Sequence, residues 1–134
     1  MSGFDGKPFH LSLVDEGYDV WIGNNRGTEY SQGHVTLSPT DDDYWMYTWA
    51  DMGLYDDTAN ISMIKEKTGV EKVFYLGYSQ GTIQMFYGLA HLENSFHVNN
   101  VHKAVLLAPC FYTKLQPPCD TEDCVEATTM QFQS

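Results

Sequence analysis

Apolar positions along the 134 residues gather into three short runs, separated by helical patterns or loops. The first run is 18–22, Tyr-Asp-Val-Trp-Ile, bounded by Gly17 and by Gly23-Asn24-Asn25. Glycine and asparagine at such boundaries are turn signals, so the spacing predicts a strand there. Residues 26–44 then read as a long loop with glycines and Ser38-Pro39. The second run, Val-Phe-Tyr-Leu at 73–76, predicts a strand over 72–77. The third predicts a strand over 102–108 and is continuously apolar from Ala104, like a strand covered on both faces.

Two helices fit between these runs. Over 51–67, Asp51 can cap the start, Lys65 and Lys67 suit the dipole of the last turn, and Gly69 can end it. Met52, Tyr55, Ala59 and Met63 recur at helical spacing, and that face is expected against a sheet. Over 80–92, Ile83, Met85, Phe86, Tyr87, Leu89 and Ala90 leave almost no polar face, which predicts a buried helix. Gly88 inside it predicts close approach to a neighbour. The tail from Cys110 has no clear period. Strand, helix, strand, helix, strand is the order of a parallel sheet with crossovers, so the expected class is α/β with three mostly parallel strands. Chemistry in such sheets gathers at the carboxyl ends of the strands.

Composition narrows the classes. The chain is long enough for one modest domain with a core. Its formal net charge is −11 without a basic stripe, which argues against nucleic-acid binding and against anionic lipid headgroups. No apolar run has the length of a membrane span. Residues 1–8 are polar and glycine-rich, unlike a signal peptide. Cys119 and Cys124 flank an acidic loop; they either close a short disulfide in an oxidising compartment or stand as free thiols with Cys110. No histidine or further cysteine lies near them, so neither metal nor cofactor is expected. Asn60-Ile61-Ser62 matches a glycosylation acceptor but falls inside the expected helix.

The chemistry-bearing motif is Gly-Tyr-Ser-Gln-Gly at 77–81, between a strand and a buried helix. A chain reversing sharply from strand into helix puts the central serine at the apex in a strained conformation. Residues two before and two after the apex crowd each other, and Gly77 and Gly81 remove the side chains that would clash. Ser79 then stands at a helix amino end, where free N–H groups favour developing negative charge. Ser79 is the candidate nucleophile and the Gln80 N–H the candidate oxyanion donor.

These motifs resemble the acid lipase family, which includes gastric and lysosomal lipases. The resemblance runs over about residues 10–110. It rests on Gly17 to Gly27 (GYDVWIGNNRG), His34 to Pro39 (HVTLSP), Tyr44 to Asp56 (YWMYTWADMGLYD), Thr68 to Thr82 (TGVEKVFYLGYSQGT) and Ala104 to Pro109 (AVLLAP). It implies a partial α/β-hydrolase core over 1–109, with 110–134 either the start of a cap or an irregular tail. It also implies hydrolysis of acylglycerols or sterol esters through an acyl-enzyme, in a secreted or lysosomal-type compartment. Ser79 matches the nucleophile and Gln80 the elbow donor. Tyr78 stands where the family usually has histidine, outside the triad. The family's His-Gly segment lies upstream of these motifs, and its catalytic aspartate and histidine lie downstream of Ser134.

Serine needs a base within hydrogen-bond reach. His91 is roughly 18 Å from Ser79 along its helix at helical rise. His97 and His102 belong to the opposite strand edge. His10 is unplaced. His34 follows the carboxyl end of the first run and is the remaining candidate base, with a solvated loop histidine as the alternative. Asp120, Glu122 and Asp123 follow the last strand and could orient a histidine or form a solvated acidic loop. In the full hydrolase fold another strand lies between the first and second runs, so either these pair directly or another protein chain fills the slot. The expectation is a chain either marginally stable alone or completed by a partner.

Two functions fit: a lipase-type serine hydrolase lacking the triad aspartate and histidine, and an inactive lipase-derived structural or interaction subunit. A flavodoxin-type ligand-binding domain is disfavoured, because Asn24-Asn25-Arg26-Gly27 is not a glycine-rich phosphate loop opening a helix.

Overall fold

A computed structural model describes residues 6–91 and 96–110. In chain order the elements are α1 (Phe9–Asp15), a 3-10 turn (Asp42–Trp45), α2 (Trp49–Asp51), a π-turn (Met52–Asp56), α3 (Asp57–Thr68), β1 (Val73–Tyr78), α4 (Gln80–His91), α5 (Phe96–Asn100) and β2 (Val101–Leu107). β1 and β2 pair in parallel, with Leu76 opposite Val105 and Tyr78 opposite Leu107. Helices α4 and α5 form the crossover between them.

The expected 51–67 helix is a continuous helical run from Trp49 to Thr68, interrupted by the π-turn. At its start the Thr48 N–H and hydroxyl both donate to the Asp51 carboxylate, at 2.8 and 2.9 Å. The Thr48 amide bond leads the causes that hold the Asp51 carboxyl below its ordinary pKa. At its end Gly69 is left-handed (φ 73°) and its N–H returns to the Lys65 carbonyl at 2.8 Å, so the predicted stop is where it belongs.

The buried face of that helix differs from the expected one. Gly53, Asp57 and Ile61 point inward, while Tyr55 (60% exposed), Ala59 and Met63 face outward. The reason is the contact with α4. A Cβ on Gly53 would lie 2.7 Å from the Gln84 carbonyl oxygen, so only a glycine lets the two backbones meet there. That contact, and the extra residue in the π-turn, set the phase of the helix.

Residues 18–22 do not form the expected strand. They have no ladder partner among the described residues, and Ile22 is 68% exposed. Alternation alone makes no strand; a neighbour must take the backbone hydrogen bonds. Direct pairing of the first and second runs is therefore excluded in this arrangement. The loop that follows is anchored differently. Arg26 Nε and Nη2 donate to Asp56 Oδ1 at 2.8 and 2.6 Å, and the Arg26 N–H donates to Asp56 Oδ2 at 2.9 Å. These bonds raise the guanidinium above its already high ordinary pKa. They tie the Asn-Asn-Arg-Gly loop to the π-turn.

The two strands lie where the sequence places them, within a residue or so at each end. Their coverage is less complete than expected. One sheet face packs on helix; the other leaves Phe74 (64%) and Val105 (51%) exposed. Helix α4 likewise buries a stripe, Thr82, Gln84, Met85 and Gly88, and exposes Leu89 and Ala90. The Gly88 expectation holds: a Cβ there would lie 2.3 Å from the ring of His97, which is fully buried.

The Gly53 contact generates a test. Gly53→Ala is expected to cost about 1–3 kcal/mol through overpacking, read as a lower denaturation midpoint. An unchanged midpoint would mean that the π-turn and α4 do not meet at this point.

Candidate functional site

The turn at Ser79 is built from both strands. Ser79 has φ +50°, a left-handed conformation uncommon outside glycine. Its N–H donates to the Leu107 carbonyl at 3.0 Å, extending the parallel ladder one residue beyond β1. Its carbonyl accepts the Thr82 N–H at 2.9 Å and the Thr82 hydroxyl at 2.6 Å. Thr82 is fully buried, and its Oγ1 also accepts the Cys110 N–H at 3.0 Å. One threonine thus ties the turn after β1 to the chain leaving β2.

The two motif glycines are not equivalent. A Cβ on Gly77 would lie 2.9 Å from both the carbon and the oxygen of the Gly81 carbonyl, and the same distance from the Tyr75 ring. A Cβ on Gly81 would meet only the Tyr75 hydroxyl, at 3.6 Å, an ordinary contact. The crowding expected from the motif is real at the first glycine and absent at the second.

Ser79 is half-buried at the amino end of α4. Gln80 opens that helix, so its N–H has no intrahelical acceptor, and it donates to no described residue. The Gln80 side chain lies aside, with Nε2 2.9 Å from Met52 Sδ. The arrangement presents a hydroxyl and an unpaired amide at the carboxyl end of a parallel strand.

None of the described histidines makes a hydrogen bond or ring contact with Ser79. His34 Nδ1 accepts the backbone N–H of Thr36 and of Leu37 at 3.2 and 2.9 Å. These two bonds engage Nδ1 within its own loop. The geometry thus favours the solvated-loop reading of His34. His91 lies over the Tyr87 ring at 4.0 Å, and His102 meets the Phe74 ring edge-on at 5.2 Å. His10 is exposed on α1. No hydrogen bond reaches Ser79 Oγ among the described residues.

Sequence reasoning missed a buried polar cluster beneath the turn. The Tyr75 hydroxyl lies 2.9 Å from the Gly81 carbonyl oxygen and 3.2 Å from Asp57 Oδ2. Burial, then the Asp57 charge, pushes the Tyr75 hydroxyl well above its ordinary pKa. His97 Nε2 lies 3.9 Å from the same Asp57 oxygen, and neither imidazole nitrogen has a hydrogen-bond partner among the described residues. The only sequence signal was an aspartate at the spacing of the Gly53–Ile61 stripe. Cys110 is a free thiol, and no group of His, Cys, Asp and Glu suited to a metal occurs among the described residues. No described helix is long and apolar enough to cross a membrane. Cys119, Cys124, Asp120, Glu122, Asp123 and the proposed 110–134 cap or tail, apart from Cys110, lie outside the described residues.

A strand-to-helix turn with serine at its apex agrees with the family match: the family described as the alpha/beta hydrolase fold matches residues 9–134. The chain belongs to the α/β-hydrolase fold family. Within this fold family its curated relatives are lipases. It is 47% identical over 97 residues to Lipase member K of Mus musculus, covering 72% of this chain and 24% of the relative. It is 44% identical over 100 residues to Triacylglycerol lipase 1 of Arabidopsis thaliana, covering 75% and 24%. It is 37% identical over 125 residues to Lipase member M of Homo sapiens, covering 81% and 30%. The chain spans about a quarter of the length of the first of these relatives. The α/β-hydrolase assignment read from the motifs stands, and so does the likeness to lipases.

The glycine asymmetry and the Thr82 bridge each have a measurable consequence. Gly77→Ala is expected to lower stability by about 1–3 kcal/mol, whereas Gly81→Ala, which replaces a glycine in the first turn of α4 without a clash, should be neutral or stabilising. Equal losses at both sites would contradict the geometry. Thr82→Val keeps the side-chain volume but deletes two hydrogen bonds; a loss of about 1–3 kcal/mol in denaturant unfolding is expected.

Proposed function

We propose that this chain carries the nucleophile segment of a serine ester hydrolase of the acid-lipase type, acting on lipid esters such as acylglycerols or sterol esters. One observation carries the reading: Ser79 holds a left-handed φ of +50° between a parallel strand and a helix, beside an amide that is unpaired among the described residues. Strained serine at that position is what acyl transfer needs, because the hydroxyl is lifted clear of the sheet.

In the proposed reaction Ser79 Oγ attacks the ester carbonyl carbon while a base takes the hydroxyl proton. The carbonyl oxygen becomes an oxyanion and accepts the Gln80 N–H. Collapse breaks the ester bond, and the base returns the proton to the departing alcohol. Water then attacks the acyl-enzyme by the same route and releases the fatty acid and free serine. On the resemblance to acid lipases, the base and its orienting carboxylate come from sequence beyond Ser134 or from another chain. The same resemblance supports a secreted or lysosomal-type compartment.

The test is covalent labelling. The native protein carrying this sequence, treated with a fluorophosphonate and digested, should yield the modified peptide at Ser79, and Ser79→Ala should abolish it. Substrate turnover should fall by at least about a thousandfold in the same variant. Full labelling of a different residue would overturn the assignment. A folded protein that takes no label would favour the inactive structural subunit instead.

A further inference from the structure

We propose that Tyr75 is a positioning residue for the strained turn at Ser79. It rests on the proposed hydrolase reading for its catalytic consequence, but not for its structural one.

Tyr75 lies on β1, four residues before Ser79, and points to the covered side of the sheet with Gly77. Its hydroxyl crosses the turn to the Gly81 carbonyl, in the first turn of α4. It therefore spans the bend from outside, binding the strand before it to the helix after it. The Leu107 and Thr82 bonds to Ser79 instead fix the peptide groups of the serine itself. The Tyr75 hydroxyl links a side chain of β1 directly to the backbone of α4 across the bend. The motif glycines fit this role. The Tyr75 ring fills space that a Cβ on Gly77 would need, and the hydroxyl stands against the open side of Gly81.

Asp57 makes the device directional. A phenol has one proton to give and two acceptors face it, a carboxylate oxygen and the Gly81 carbonyl. Asp57 is buried on α3, with His97 on α5 as its other polar neighbour. The cluster thus joins four elements, α3, β1, α4 and α5, at the base of the turn. A phenylalanine in place of Tyr75 would keep the ring and its packing but release the helix end. It would also leave the Asp57 carboxylate with His97 alone. An asparagine at 57 retains an oxygen that can accept the phenol proton, so it should act as the conservative variant.

The experiment compares the native protein with Tyr75→Phe and Asp57→Asn. Amide hydrogen exchange is followed at residues 79–82 relative to 105–107 in β2. Fluorophosphonate labelling is resolved into its maximal rate and its half-saturation concentration. For Tyr75→Phe, exchange at 79–82 should quicken about fivefold over that at 105–107, the loss expected of one hydrogen bond. The maximal labelling rate should fall about tenfold with half-saturation unchanged, because geometry and not reagent binding is altered. Asp57→Asn should stay within about twofold of the native protein in both measurements. Uniform quickening across 79–82 and 105–107, with labelling falling only in step with the folded fraction, would assign Tyr75 a general stabilising part and overturn the proposal. Native protein that takes no label while Tyr75→Phe still frees residues 79–82 would remove the hydrolase reading and leave the hold of Tyr75 on the turn intact.

Discussion

The molecule turns on one costly backbone angle. A non-glycine residue in the left-handed region costs about 1–2 kcal/mol, and Ser79 accepts that cost at φ +50°. What offsets it is the parallel pairing of β1 with β2. The Leu107 carbonyl receives the Ser79 N–H, so the bend exists only while β2 lies alongside. Thr82 then closes the system from the helix side, with two bonds to the Ser79 carbonyl and one from the Cys110 amide. Ala108 is left-handed as well, at φ +49°. Both strands therefore end in strained residues, and one buried threonine secures the chain after each. The local motif specifies a turn, but a strand more than 20 residues later holds it.

The interior beneath this turn is unusually polar for its size. Among the described residues the fully buried large side chains are Met85, His97, Gln84 and Thr82. The His97 ring nitrogens have no hydrogen-bond partner among the described residues, and Asp57 Oδ2 lies 3.9 Å from Nε2. Gly88 makes room for that ring, and no side chain other than hydrogen would fit beside it. Evidently shape dominates here: α4 meets α5 at a histidine and meets the π-turn at Gly53, so its position is set by backbone contact on two sides. Helix α4 is the element that carries Gln80, and fixing it from two sides fixes the direction of the Gln80 amide.

Local signals in the sequence were read correctly and non-local ones were not. The glycine stop at Gly69, the strands ending near Leu76 and Leu107 and the helix beginning at Gln80 depend on neighbours within a few residues. The same holds for the turn at Ser79. Residues 18–22 have the composition of a strand, yet a strand needs a ladder partner, and alternation carries no information on whether one is present. The face of the 49–68 helical run was misplaced for a related reason. A 3.6-residue period was applied across a π-turn, and the contact of Gly53 with Gln84 sets the phase instead. The Asp57–Tyr75 bond joins residues 18 apart across element boundaries, a pairing that no local spacing signals.

The inequality of Gly77 and Gly81 bears on what such a pentapeptide means. The first glycine is demanded by both backbone and side chain, since its missing Cβ would strike the main chain of the second and the Tyr75 ring. The second meets no backbone, only the hydroxyl of Tyr75 at 3.6 Å. A Cβ there would be tolerated by the bend and would meet that hydroxyl at an ordinary contact distance. The steric constraint on chain reversal thus sits at the first glycine, while helix placement draws on the Tyr75 bond to the Gly81 carbonyl. On the proposed reading these correspond to separate parts of the chemistry. Chain reversal lifts the serine hydroxyl from the sheet, and helix placement aims the Gln80 N–H at the oxyanion. A single oxyanion donor is worth about 10²–10³ in rate only when it is held in place before the charge develops. The bonds at residues 75, 81 and 82 supply that fixity without touching the reacting atoms.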